Sequence, residues 1–203
     1  MKKYIFSPYI RLALYDIINP PHHVKERVLY DYELLYVKSG NIRITTPDNI
    51  YEGSAGNVFL LRPGQRHTID IYGSNQFIQP HIHFDLAYYP DRDIVPISFK
   101  TFEDMTEQEL SFIRPDVLEP LIHDIPVMIK LENTVFFETL LFDVIHEFEN
   151  PSQFHEFAIN GMFLSLLNYY FTEVFWKSLN PLDTKQKQIH LVKQFIERND
   201  NRD

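Results

Sequence analysis

Between residues 30 and 85 the chain reads as short apolar or alternating runs separated by turn residues. Residues 30–37 are β-branched, leucine or aromatic apart from Asp31 and Glu33, and Ser39-Gly40-Asn41 ends the run. Residues 41–45 (Asn-Ile-Arg-Ile-Thr) alternate polar and apolar, the pattern of a hairpin's return arm. Pro47-Asp48-Asn49, the stretch from Gly53 to Gly56, and Pro63-Gly64 are further turns, and residues 58–61 between the last two are apolar. In residues 67–72, His67, Ile69 and Ile71 share one face. In residues 76–85, Ile78, Ile82 and Phe84 lie opposite Gln79, His81 and His83. Strands at about ten-residue spacing with turns between them predict a sandwich or barrel.

Beyond Pro90 the period changes. Residues 102–112 and 117–128 lack strand alternation and are expected to be helical. In residues 133–149, Phe137, Leu141, Val144 or Ile145, and Phe148 recur at three and four, which predicts an amphipathic helix. Asn150-Pro151 reads as a cap and first-turn proline of the next helix, over residues 152–177. That helix carries two apolar stripes: Phe157, Gly161, Leu164, Asn168, Phe171 and Phe175 form one, and Ile159, Phe163, Leu166, Tyr170 and Val174 the other. A helix apolar on two sides needs two covers. The chain's own sheet is one, and a second copy of the chain is the expected other. Residues 179–184 read as a linker, and residues 186–199 as a last amphipathic helix, marginal alone.

Composition narrows the chemistry. The 203 residues are 44% hydrophobic, with 17 Phe and 12 Tyr, so the chain has ample material for a core. It contains no cysteine, which removes disulfides, thiolate nucleophiles and cysteine-ligated metals. A net charge of −9 without a basic cluster opposes binding to a phosphate backbone. No uncharged apolar run reaches the ~20 residues of a membrane span. A cytoplasmic protein without membrane contact is expected.

Three features carry candidate chemistry. Glu33 stands in an otherwise apolar strand, costly unless paired or facing a wet cavity. His81 and His83, two apart on a strand, project to one face; that spacing suits a metal site, a polar pocket or a plain polar surface. His67 follows the Pro-Gly turn, where a turn or core histidine is the simplest reading. His22-His23 in a proline-rich stretch reads as an incidental loop.

Glu33 to Gly40, followed by Gly56-x6-Pro63-Gly64-x2-His67, resembles the two cupin motifs. With Ile82-His83-Phe84, the set resembles the N-terminal sensor domain of AraC-family transcription regulators. Gln188-Ile189-x2-Val192-Lys193-x2-Ile196-Glu197 is similar to the first helix of that family's DNA-binding domain. The fold class this implies is mainly β with α: a cupin, or jelly-roll, barrel over residues 1–100, followed by a helical dimerisation region over 101–180. Residues 181–203 would be the linker and the opening of a DNA-binding domain that the chain does not include.

Metal-binding cupins place two histidines six and four residues before the glutamate, and here those positions hold Arg27 and Leu29. The resemblance therefore implies a sensor with no catalytic residues and no metal or cofactor. Its ligand-binding residues would be Arg27, Glu33, His67, Gln79, His81 and His83, with Ile69 as an apolar wall and residues 8–11 as an arm over the pocket. The expected effector is a small, sugar-like hydroxylated or anionic molecule. The expected homodimer forms through the helices near residues 133–177, and DNA is met only through the missing C-terminal domain. The alternative is a stand-alone cupin enzyme acting on a sugar or small acid, with Fe, Mn or Zn held by Glu33, His67, His81 and His83.

Overall fold

The computed structural model describes residues 6–119 and 125–178. The linker and last helix expected at residues 179–199 lie outside them. Two antiparallel sheets face each other. One has the order β1 (Tyr9–Ile18), β8 (Phe77–Asp85), β3 (Tyr32–Tyr36), β6 (Asn57–Leu61), β9 (Met128–Lys130). The other has the order β2 (His22–Val28), β7 (Arg66–Tyr72), β4 (Asn41–Thr45), β5 (Ile50–Ser54). The cupin-like architecture expected from the sequence is present.

Side-chain alternation divides the core in two. Leu35, Phe59, Leu61, Ile42, Ile44, Ile69, Ile71 and Phe77 meet between the sheets. The other faces of β3, β6 and β8 present Tyr32, Leu34, Tyr36, Val58, Leu60, Ile82 and Phe84 to two long helices, α2 (Thr134–Glu149) and α3 (His155–Ser178). Every residue of β3 and β6 is buried because both of their faces are covered, which explains apolar runs in place of alternation. The helical layer is keyed by rings: Tyr32 stacks on Phe84 with centroids 5.4 Å apart, and Phe84 meets Phe163 edge-on at 4.8 Å. Asn133 caps α2, its side chain accepting from the Phe136 amide. The turn between β3 and β4 needs glycine, since Gly40 has φ 87° and a Cβ there would lie 3.0 Å from Phe77 Cα.

Several local expectations are corrected. His22 and His23 are not in a loop; they open β2 and pair with Ile71 and Asp70 of β7. Residues 9–11 are no free arm, because they begin β1 and lie along β8. The stretch 102–112 holds only a three-residue 3-10 turn (Phe102–Asp104) and a one-turn helix, α1 (Glu107–Leu110). Residues 117–119 are non-helical, and β9 extends the first sheet by pairing with β6. Asn150 closes α2 and α3 starts only at His155, so Pro151 lies between the helices.

The two stripes of α3 behave as their chemistry demands. Ile159, Phe163, Leu166, Tyr170 and Val174 are buried against the sheet layer. Phe157, Leu164 and Phe175 of the other stripe are 83%, 47% and 55% exposed. Among the described residues no helix is long and apolar enough to cross a membrane.

Candidate functional site

The site grows from two cross-strand pairs, one in each sheet. In the first, Glu33 of β3 stands opposite His83 of β8, with His81 two residues along the same face of β8. In the second, Arg27 of β2 stands opposite His67 of β7. A bulge in β2 sets up the second pair: Val24 pairs with Ile69 and Arg27 with His67, so three steps on β2 match two on β7. In a regular strand two residues three apart, as Val24 and Arg27 are, point to opposite faces. With the bulge, Val24 packs on the inter-sheet core and Arg27 turns inward beside it.

The pairs meet between the sheets. Arg27 Nη2 donates to Glu33 Oε2 at 2.7 Å, and Arg27 Nε donates to His67 Nε2 at 3.0 Å. His67 is therefore neutral with its proton on Nδ1, which donates to the Gln65 carbonyl at 3.0 Å. His83 Nδ1 lies 3.3 Å from Asp31 Oδ1, and its Nε2 lies 3.7 Å from Glu33 Oε1. His81 turns Nδ1 to the Gln79 carbonyl at 3.2 Å, and its ring stands edge-on to His83 with centroids 5.7 Å apart. Arg27, Glu33, His67, Gln79, His81 and His83 are all buried, as is Ile69. Gln79 contributes its carbonyl to His81. Phe99, on a loop tied to the end of β2 through the Val28 amide and the Lys100 carbonyl, lies over the Arg27 guanidinium at 5.4 Å.

The electrostatics follow from burial against charge. Burial opposes ionisation of Glu33, but the guanidinium of Arg27 and the nearby histidines outweigh it and hold the carboxyl at about 2. His67 is pushed down to about 4 by burial and by the Arg27 charge. At neutral pH the site thus holds one carboxylate, one guanidinium and an uncharged His67.

A second buried group, missed in the sequence, extends the first. Asp31 Oδ2 lies 3.6 Å from Arg11 Nε, and Arg11 Nη2 donates to Asp85 Oδ2 at 2.8 Å. Arg114 continues the series, 3.6 Å from Asp85 and paired in a fork with Asp91 at 2.8 and 3.2 Å. Burial pushes the Asp85 carboxyl up, and Arg11 and Arg114 only partly restrain it. Asp31 in Leu-Tyr-Asp-Tyr and Asp85 in His-Phe-Asp-Leu carry the same signal as Glu33, an isolated acid in an apolar run. Arg11 anchors the start of β1 by donating to the Val95 carbonyl at 2.7 Å.

The four-ligand centre of metal cupins does not fit this chain. Its two leading histidine positions hold Arg27, whose guanidinium occupies one oxygen of Glu33, and Leu29, which is packed in the inter-sheet core.

The family model for the AraC-like ligand binding domain matches residues 10–91. The match runs from β1 to just beyond β8 and includes all six candidate residues. Among solved structures the chain is similar to ToxT from Vibrio cholerae, at 16% identity and TM-score 0.44, over 96% of this chain and 67% of that one. It is also similar to YhaK from Escherichia coli, at 16% identity and TM-score 0.36, over 39% of this chain and 37% of that one. The Cnp3 cupin domain of Schizosaccharomyces pombe matches at 13% identity and TM-score 0.34, over 38% of this chain and 61% of that one. No curated protein matches the chain.

Proposed function

We propose that this chain is the effector-sensing and dimerising part of an AraC-type transcription regulator, and that its effector is a small hydroxylated or anionic molecule of sugar-like character. The observation that carries the reading is the buried Arg27–Glu33 pair, flanked by His67, Gln79, His81 and His83, inside an AraC-like ligand-binding domain. Guanidinium and imidazole groups donate to hydroxyl or carboxylate oxygens, and Glu33 accepts from hydroxyls. Arg27 and Leu29, standing where a metal cupin needs histidines, favour a sensor over a catalyst.

The proposed readout is population shift. An effector that enters between the sheets competes for Arg27 or Glu33. Glu33 lies on β3, whose opposite face packs on α2 and α3. A second copy of the chain is the proposed cover for the outer stripe of α3. The stripe Phe157, Gly161, Leu164, Asn168, Phe171, Phe175 advances by alternate steps of four and three, the seam of a two-helix coil, with Asn168 placed to set its register. The proposed division is a sensing barrel over residues 1–100, a dimerising region over 101–180, and DNA contact by a further C-terminal domain, in the cytoplasm.

The test is a thermal-shift screen of the purified chain against sugars, sugar acids and small carboxylates. A ligand at a hundred times its dissociation constant adds about 2.7 kcal/mol, on the order of 5–10 °C for a chain of this size. Arg27→Lys keeps the charge but loses the fork, and is expected to abolish the shift. Stabilisation that survives Arg27→Lys, Glu33→Gln and His67→Gln alike refutes the site.

A further inference from the structure

We infer that Glu33, His81 and His83 form a binding site for a first-row divalent transition cation of the Zn2+ or Co2+ type, at a place in the barrel other than the histidine positions of metal cupins. One donor atom from each of the three lies within 4.8 Å of the others, and all three side chains are buried. They sit on adjacent strands in fixed register, Glu33 opposite His83 and His81 two residues along.

The tautomers are set for ligation. Asp31 Oδ1 faces His83 Nδ1 at 3.3 Å and the Gln79 carbonyl faces His81 Nδ1 at 3.2 Å. Both oxygens only accept, so each ring carries its proton on Nδ1 and turns a bare Nε2 lone pair elsewhere. Among the described residues neither Nε2 accepts a hydrogen bond, so both lone pairs are free to ligate. A carboxylate behind a histidine, as Asp31 stands behind His83, is the arrangement that orients metal-ligating imidazoles. Glu33 is held in the same sense: Arg27 takes Oε2 and leaves Oε1 3.7 Å from His83 Nε2. Metal bonds of about 2.0–2.1 Å need donors ~3.3 Å apart in tetrahedral geometry, so Glu33 and His83, 3.7 Å apart, have only a short way to close. His67 stays outside the set because its Nε2 already accepts from Arg27.

Two imidazoles and one carboxylate suit Zn2+, Co2+, Ni2+ or Fe2+, and not Mg2+ or Ca2+. Three protein ligands leave a coordination position open to water or an oxygen-bearing molecule. Arg27 beside Glu33 adds positive charge, so that position favours an anionic oxygen ligand. The ion site needs only these three side chains and stands whether or not the barrel senses a sugar.

The experiment uses the full chain after EDTA treatment, titrated with CoCl2 and ZnCl2, with bound metal counted after gel filtration. One Co2+ per chain is expected, with visible d–d absorption of four- or five-coordinate strength, displaced by Zn2+ and removed by EDTA. His81→Gln and His83→Gln, checked by far-UV circular dichroism, are each expected to weaken binding more than 100-fold, and Asp31→Asn by ~10–100-fold. The double variant His22→Ala/His23→Ala keeps full stoichiometry. The inference is overturned if the wild-type chain binds no stoichiometric Co2+ or Zn2+. It is equally overturned if binding survives the His81→Gln/His83→Gln double change, or disappears with His22 and His23. The sugar-acid screen repeated in EDTA tests the sensor separately: effector binding there supports the sensor, and the Co2+ and Zn2+ titration alone decides this site.

Discussion

Replacing Glu33 by glutamine swaps a buried carboxylate for an amide of equal size and leaves Arg27 a buried cation without its anion. The side chains of the pair are only 7% and 1% exposed, so solvent does little to screen the loss. Removing one partner of a buried pair costs about 3–5 kcal/mol. A second route gives the same size: a carboxyl held at about 2 against 4.5 in an unstructured chain is worth ~3 kcal/mol, at about 1.4 kcal/mol per pKa unit. Because the folded value is the depressed one, this contribution is complete above about pH 4.5 and is lost as pH falls towards 2. Urea unfolding of wild type and Glu33→Gln at pH 7 measures it, with a fall in Tm of roughly 6–20 °C expected alongside. The double change Arg27→Met/Glu33→Gln removes both charges and is expected to recover much of the loss. A Glu33→Gln cost under about 1 kcal/mol, or a double variant worse than the two single changes together, refutes the pairing argument.

Acidification should act earlier through His67. An ordinary histidine takes up its proton near 6.5 and this one only near 4, so the unfolded chain binds the extra proton first and stability falls as pH drops from about 6.5 to 4. His67→Gln is expected to flatten the urea midpoint over that window, and an unchanged slope contradicts the assignment. Gly53→Ala should cost about 1–3 kcal/mol, because its Cβ would meet the Phe59 ring at 2.7 Å and Ile42 at 2.9 Å; chemical denaturation reads this directly. Leu164→Lys is expected to leave the Tm of the monomer within about 1 °C while shifting sedimentation from dimer to monomer. A wild-type chain that sediments as a monomer at high concentration removes the second-copy cover.

Elements whose two faces differ in kind were legible from the chain. β4 and β7 alternate, and α2 repeats its apolar residues at three and four because one side meets the sheet and the other meets water. β2 escaped because its bulge breaks the period and because His22, His23, Lys25 and Glu26 are exposed on an edge strand. β9 is three residues long and takes its identity from its partner β6, which no local pattern encodes. In the candidate site, Arg27, Glu33, His67, His81 and His83 came from motif spacing, and the structure gathers them between the sheets. The Arg11–Asp85–Arg114 series did not, because its members come from β1, the end of β8 and a loop beyond residue 110, and only the folded topology joins them.

Strand β3 gives one wall to two rooms. Glu33 and Leu35 look between the sheets, while Tyr32, Leu34 and Tyr36 look into the helical layer, and consecutive residues stand only about 3.3 Å apart. No substitution along this strand can be judged against a single neighbourhood. A side chain that suits the barrel but lifts the strand by half an ångström is paid for at Phe84, Phe137 and Phe163. Saturation mutagenesis read by folding should therefore find Tyr32–Tyr36 the least permissive strand of the domain, and Ile50–Ser54, on the far edge of the other sheet, the most permissive apart from its buried Gly53.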